Sequence, residues 1–226
     1  MANFYTAQGT KFFFSNTFGA ENGLSAITNT EPAIGESQGH SLAKYDEVLL
    51  TSRWEESNGQ VFRLGDVDAD TITLDGFDAT DENIYPADTN TGSVRKIEQW
   101  TEIPGVISIE TGGGEQKFID VQLLSSQYAS KIPAGFEAAT ATLTLAHDPE
   151  DATYQEMLRI TRAGGQVAFK ILLKNGASIL SYGYLSASET PKMNAGDVNQ
   201  VTVTLAFQRR LIAYGKPQAA NPQPQP

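Results

Sequence analysis

The 226-residue sequence contains no cysteine. That absence excludes a disulfide framework, a zinc–thiolate centre, an iron–sulfur cluster and a cysteine nucleophile. Histidine is scarce as well: His40 and His147 are too few, and too far apart in the chain, for a zinc site with any sequence specificity. Basic residues are outnumbered, 16 Lys and Arg against 27 Asp and Glu, for a net charge of -11. Phosphate contacts need clustered Lys and Arg, so the balance argues against a protein that wraps duplex DNA, though not against DNA passing nearby. No uninterrupted apolar run approaches the roughly 20 residues of a membrane-crossing helix. Met1-Ala2-Asn3-Phe4-Tyr5 has neither the basic nor the apolar region of a secretory signal. A protein made and folded in a cytoplasm, with no membrane partner, is expected.

What is present is unevenly distributed. Residues 1–88 carry 15 acids and 4 bases, net -11, while residues 89–226 carry 12 of each. Residues 46–88 alone hold 12 acids against Arg53 and Arg63, so a surface built from this stretch repels polyanions. By area scaling, a 24.4 kDa chain buries roughly 70% of the surface it exposes when unfolded, enough for one large domain or two small ones.

The dominant hydrophobic period is two. Residues 138–147 alternate so that Thr140, Thr142 and Thr144 share one face and Ala141, Leu143 and Leu145 the other; residues 198–208 place Gln200, Thr202 and Thr204 opposite Val201, Val203 and Leu205. Further strands are expected at 10–15, 47–53, 60–67, 71–74, 107–111, 118–123, 167–174 and 178–186, with tight turns at Ser57-Asn58-Gly59 and Asn175-Gly176. One helix is expected at about 149–163, capped by Asp148, opened by Pro149 and stopped by Gly164-Gly165, with Tyr154, Met157, Leu158 and Thr161 on the face that covers a sheet. Residues 16–43, rich in Gly with only scattered apolar positions, read as a long loop or arm. Residues 46–88 form an acidic hairpin region. Residues 215–226, with 4 of the 10 prolines, read as a disordered Pro/Gln-rich tail after a single domain 1–214.

Motifs that could carry chemistry are weak. Gly35-Glu36-Ser37-Gln38-Gly39, with His40 adjacent, has the spacing of a nucleophile elbow, but a polar Pro-containing loop precedes it where a buried strand is needed. Asp66-Val67-Asp68-Ala69-Asp70 opens like a calcium loop, yet Thr71 stands where Gly is required and Phe77 where Glu is required; a solvated turn is the better reading. Acid/base pairs could be drawn from Glu55, Glu56, Asp78, Asp81 and Glu82, but 27 acids produce such pairs without selection for catalysis. Gly112-Gly113-Gly114-Glu115 lacks the Lys-Ser/Thr pair and following helix of a phosphate loop and reads as a turn.

From Trp100-Thr101-Glu102-Ile103-Pro104-Gly105-Val106, the order of segments runs through Gly112-Gly113-Gly114-Glu115, Asp120-Val121 and Lys131-Ile132-Pro133-Ala134-Gly135-Phe136 to the Thr-alternating strand, helix, hairpin Lys170–Ser186 and final strand Asn199–Arg209. In this order the chain resembles the major tail tube proteins of bacteriophages with long, non-contractile tails, well over residues 95–212 and more weakly over 45–80. The resemblance implies a mainly β protein, an antiparallel β-sandwich or open barrel with one flanking helix. It implies hexameric rings stacking into the tail tube, a conduit for DNA ejection, with tape-measure, tail terminator and tail tip proteins as partners, assembly in the host cytoplasm, and neither enzymatic activity nor cofactor. Thr140, Thr142, Thr144, Gln200, Thr202 and Thr204 are the expected lumen-facing residues, joined by Asp66, Asp68 and Asp70 if the acidic region also reaches the lumen. Three rivals stand beside this reading: a carbohydrate-binding adhesin using Tyr85, Trp54 or Trp100, a glycosidase using carboxylates of 46–88, and a type VI secretion-like tube protein.

Overall fold

The computed structural model describes residues 8–217. Of the expected C-terminal tail, residues 218–226 lie outside the described residues. The first half of the chain supplies β1 (Lys11–Ser15), β2 (Phe18–Leu24), β3 (Ala26–Ile27), β4 (Ala33–Glu36), β5 (Glu47–Ser52), β6 (Gln60–Val67), β7 (Thr71–Leu74), β8 (Gly92–Ile97) and β9 (Thr101–Glu102). The second half supplies β10 (Val106–Gly112), β11 (Gln116–Val121), β12 (Ser130–Phe136), β13 (Thr140–Ala146), α1 (Ala152–Ala163), β14 (Gln166–Leu172), β15 (Ser178–Ala187), β16 (Gln200–Phe207) and β17 (Ile212–Tyr214).

These strands form two large antiparallel sheets. The first runs β10-β13-β16-β15-β14-β1-β9, with β17 added alongside β15; the second runs β2-β8-β5-β6-β7-β4-β3. The protein is thus mainly β, as expected; the described residues contain one α-helix and no closed barrel. In the second sheet, β6 pairs β5 through Gln60–Arg63, then pairs β7 from Leu64 onward, with a register shift between Leu64 and Val67. Trp54, Phe62 and Phe77 are buried together in the core of this sheet, Phe77 stacked on Phe62 and edge-on to Trp54.

The alternation read from the sequence decides what each face of the first sheet meets. Leu143, Leu145, Val201, Val203 and Leu205 point to one side, where α1 lays Tyr154, Met157, Leu158 and Ile160 against them. The helix begins three residues later than expected. Asp151, not Asp148, is its cap, accepting a 3.0 Å bond from the Thr153 N–H, while Asp148 instead accepts from the Glu150 N–H and tightens the turn ahead. Gly164, at φ 63, closes the helix in the left-handed conformation that glycine adopts without a Cβ penalty.

On its other side the first sheet is covered only in part. Ala168 of β14, Leu180 of β15 and Ile212 and Tyr214 of β17 pack into the core of the second sheet. Lys170 reaches across to Glu47 at 2.8 Å, both side chains largely buried, with the ammonium 4.4 Å from the centre of the Trp100 ring. Tyr214 closes the seam: its hydroxyl accepts from the Arg63 N–H at 3.1 Å and donates to the Asp75 carbonyl at 2.9 Å.

Residues 16–43 correct the loop expectation, because β2, β3 and β4 lie within them. The partners of β2 and β4 come from far along the chain, Leu24 opposite Gly92 and Ala33 opposite Leu74, while β3 pairs β4, and the local sequence, with Gly19, Gly23 and Gly35, shows no sustained period. Leu24, Ile27 and Ala33 are buried. Asn29 ties the segment down by donating to the carbonyls of Ala79 and Tyr85.

Burial pushes the Tyr214 phenol up to about 12, against the weaker lowering effect of the Arg63 contacts. A folded value above the ordinary one of about 10 means that the neutral phenol is favoured by folding. Its contribution is full below about pH 10 and is lost as pH rises towards 12. Tyr214→Phe is expected to cost about 1–3 kcal/mol at pH 7, through the two backbone groups left unpaired, and to flatten the loss of stability between pH 10 and 12; urea unfolding at both ends of that range checks it.

Candidate functional site

The half of the first sheet that the second sheet leaves uncovered is an open polar face. Antiparallel pairing sets Thr142 opposite Thr204, Thr144 opposite Thr202, and Gln200 opposite Ala146, while Ser186 pairs with Thr204 and Glu110 and Ser108 with Thr142 and Thr144. Direct partners share a face, so these side chains form one contiguous surface across β10, β13, β16 and β15. The six residues Thr140, Thr142, Thr144, Gln200, Thr202 and Thr204 are all half-buried or exposed and lie together on it. Glu110 is its single ionised group among the paired positions named here. An antiparallel sheet with one packed and one solvated face is the arrangement this alternation encodes.

Asp66, Asp68 and Asp70 are elsewhere. They sit at the end of β6 and in the turn to β7, in the second sheet, exposed. The Asp68 N–H bonds the Thr71 carbonyl at 2.9 Å, closing the turn, and Asp66 pairs with Lys44 at 2.5 Å. That ion pair raises the Lys44 pKa, its hydrogen bond to Asp66 being the largest cause. Strand pairing does not bring the three aspartates onto the threonine face.

The first sheet also extends into a feature the sequence reading reduced to a turn and two separate segments. Beyond Gly112 and Thr140, the β10/β13 ribbon bends and continues as β11/β12, a two-stranded arm paired only with itself. Gly113 (φ 69) and Gly114 (φ 78) make the bend, bridged by Gly114 N–H to the Glu137 carbonyl at 3.1 Å. Almost every residue of the arm is exposed, including Phe118, Ile119, Ile132 and Phe136 in its strands and Leu123, Leu124 and Tyr128 at its tip. The signal that could have identified it is the run from Phe118 to Phe136, where apolar residues fall on both faces of the strands and so cannot all turn toward one core.

The enzyme-like motifs do not assemble. Ser37 follows β4 without a helix after it, is 1% exposed, and its Oγ has no hydrogen-bond partner; His40 is held by its own loop, Nδ1 accepting from the Leu42 N–H. Glu55 pairs with Arg209, while Asp81 is bonded by Asn83. The side-chain and backbone hydrogen bonds from Thr80 hold the Asp78 carboxyl below its usual range, the opposite of what a general acid needs. Trp54, offered above as a sugar-stacking ring, is buried against Phe77 and Tyr85 and donates from Nε1 to the Pro86 carbonyl. Among the described residues no group of three His, Asp or Glu side chains is placed to hold a metal ion. A cleft of about 270 Å³ at the seam, lined by Thr51, Asn58, Gln166, Tyr182, Gln208 and Arg209 among others, is smaller than the roughly 300–1,000 Å³ of ordinary ligand pockets.

Comparison with known proteins found one family. Its profile, described as phage tail tube protein, TTP, matches residues 52–216. No curated protein sequence matches the chain. Among solved structures, a chain from the virion of a native gene transfer agent particle aligns with 15% identity over 52% of this chain and 90% of that one, at a TM-score of 0.40.

The two faces of β13 and β16 differ sharply in what they tolerate. Thr142→Ala and Thr204→Ala, on the open face, are each expected to change stability by less than about 1 kcal/mol. Leu143→Ala, one residue along and fully buried, is expected to cost about 3 kcal/mol. Thermal unfolding of the three variants separates the faces.

Proposed function

The chain belongs to the phage tail tube protein family, and from that premise we propose that six copies close into a ring and that stacked rings form the conduit through which phage DNA is ejected. The observation that carries this reading is the open threonine face. It is a sheet surface that no other described element covers, polar but nearly uncharged, and it runs to β10, an end strand of the sheet order. A strand with a free edge is a hazard in a monomer and a connection in a closed ring.

In this proposal the wall of the conduit is built from the faces of β10, β13, β16 and β15, with Thr142, Thr144, Thr202 and Thr204 toward the lumen. Threonine hydroxyls hydrate the wall without offering phosphates a cation to bind. The acidic second sheet supplies the wider field: six copies carry -66, and a layer of that sign disfavours DNA adhering to the tube. The role is structural. No active site is proposed, and the partners beyond the chain itself are the tape-measure, terminator and tip proteins that bound a tail tube.

Electron microscopy of the purified chain over a concentration series tests the reading. Monomers or small oligomers are expected when dilute, and rings or tubes with a central pore when concentrated or when the tail tip is added. Compact monomers under every one of those conditions would overturn it. In a tube map, Thr142 and Thr204 are expected on the pore wall, and residues 66–88 lying wholly on the outside would remove Asp66, Asp68 and Asp70 from the lumen.

A further inference from the structure

The cleft of about 270 Å³ at the seam plays no part in the tail tube reading. Both sheets build its walls: Thr51 of β5 and Asn58 of the turn before β6 on one side, and Gln166 of β14, Tyr182 of β15 and the residues just after β16 on the other.

Tyr182 gives the cleft an aromatic surface. Phe18 holds the ring edge-on, with 6.2 Å between centroids, and the tyrosine hydroxyl donates to Gln166 Oε1 at 3.2 Å. The ring is fixed by these contacts yet only half-buried. Gly59 lies beside it, and a Cβ at that position would stand 3.8 Å from the ring's Cδ1. Glycine there leaves that side of the ring uncovered.

The polar groups around the ring are mostly amides with unused capacity. Asn58 Oδ1 accepts from the Ser52 N–H at 3.3 Å, and Gln166 Oε1 is taken by Tyr182. Their NH2 groups, the Gln208 amide and the Thr51 hydroxyl have no partner among the described residues. Arg209, by contrast, is engaged: Nε donates to the Asn58 carbonyl at 2.8 Å and Nη2 to Glu55 at 2.9 Å. Its charge is matched, and the cleft is neutral.

These features narrow the ligand. A phosphate group calls for a cation that is not already paired. A drug-sized molecule calls for a larger pocket. An extended peptide calls for an open strand edge, and β5, β14 and β15 each have a strand on both sides. A small neutral ring bearing hydroxyls meets the remaining requirements. Hydroxyls donate and accept, as primary amides do, and the C–H face of such a ring covers the apolar face of a tyrosine.

We propose that the seam cleft binds a single neutral sugar ring, stacked on Tyr182 and hydrogen-bonded by Asn58, Gln166 and Gln208. The ligand touches both sheets, so binding braces the joint, and a molecule that binds only the folded chain stabilises it. The site is independent of the tail tube reading and is tested on the dilute chain.

The probes are the methyl glycosides of glucose, galactose, mannose and N-acetylglucosamine, followed by saturation-transfer NMR. A ligand of about a dozen non-hydrogen atoms is expected to bind with a Kd of about 1 mM. At least one glycoside is expected to show saturation at its ring C–H protons. The same glycoside is expected to raise Tm more than sorbitol at equal concentration, which acts only through exclusion from the surface. Gln208→Ala is expected to weaken binding about fivefold, and Tyr182→Leu to abolish it. A trisaccharide that binds as well as its methyl monosaccharide identifies a glycan end as the ligand, and binding of the monosaccharide alone identifies a free sugar; either supports the inference. No saturation with any of the four glycosides overturns it. So does binding unchanged in Gln208→Ala, an exposed position where folding is not at stake. Displacement of the sugar by inorganic phosphate would show an anion site on Arg209 and overturn it as well. None of these outcomes bears on whether rings form.

Discussion

Everything in this molecule is arranged around the joint between its two sheets. Lys170 and Glu47 meet there at 2.8 Å under the Trp100 ring. A charge pair at that depth repays little more than the desolvation of its members, but either charge left alone is strongly unfavourable. The pair therefore admits one alignment of the sheets and penalises others. Apolar packing supplies the bulk of the attraction, through Ala168, Leu180 and Ile212 on one side and Leu49 and Val61 on the other. Tyr214 fixes the last strand by bonding backbone groups of β6 and of the turn after β7.

Because the joint occupies only the β14–β15–β17 part of the first sheet, it divides a single sheet surface into two environments. One is buried against the second sheet. The other, across β13, β16 and β10, keeps its threonines in water although their neighbours one residue away are wholly buried beneath α1. The same strands thus serve as core on one side and as surface on the other, and the acidic residues are held to the opposite sheet by the path of the chain. The lopsided charge of the sequence becomes a lopsided charge of the fold.

Those parts of the architecture that depend on local pattern were legible beforehand. The threonine alternation of β13 and β16 assigned each residue to its correct face, and the hairpin at Asn175-Gly176 and the helix stop at Gly164 followed from turn chemistry. The strands β2, β3, β4, β8, β9, β12 and β17 were not legible, and the cause is physical. Each is short, Gly-bearing or exposed on both faces; β2, β4, β8, β9 and β17 are paired by strands distant in sequence, as Gly92 is with Leu24 and Tyr214 with Ser178, while β3 and β12 have only their hairpin partners β4 and β11. The helix start was misplaced because Asp148 and Asp151 both satisfy the sequence requirements of a cap; only the extended backbone at Asp151 (φ -66, ψ 118) selects it. Of the candidate lumen residues, the threonines were grouped correctly by period, while nothing in the local sequence reported that Asp66, Asp68 and Asp70 would belong to a different sheet.

The bend at the base of the arm has a further consequence. A Cβ on Gly113 would stand 2.2 Å from the Ala138 carbonyl oxygen, and its φ of 69 is unfavourable for any other residue. The direction of the arm is therefore fixed by main-chain contact at its root and owes nothing to the identity of the side chains further out. Those side chains, exposed and unpacked, are free to vary without disturbing the angle at which they are presented. The pitch of the lever and the chemistry of its surface thus rest on separate residues, the glycine at the root and the exposed side chains further out.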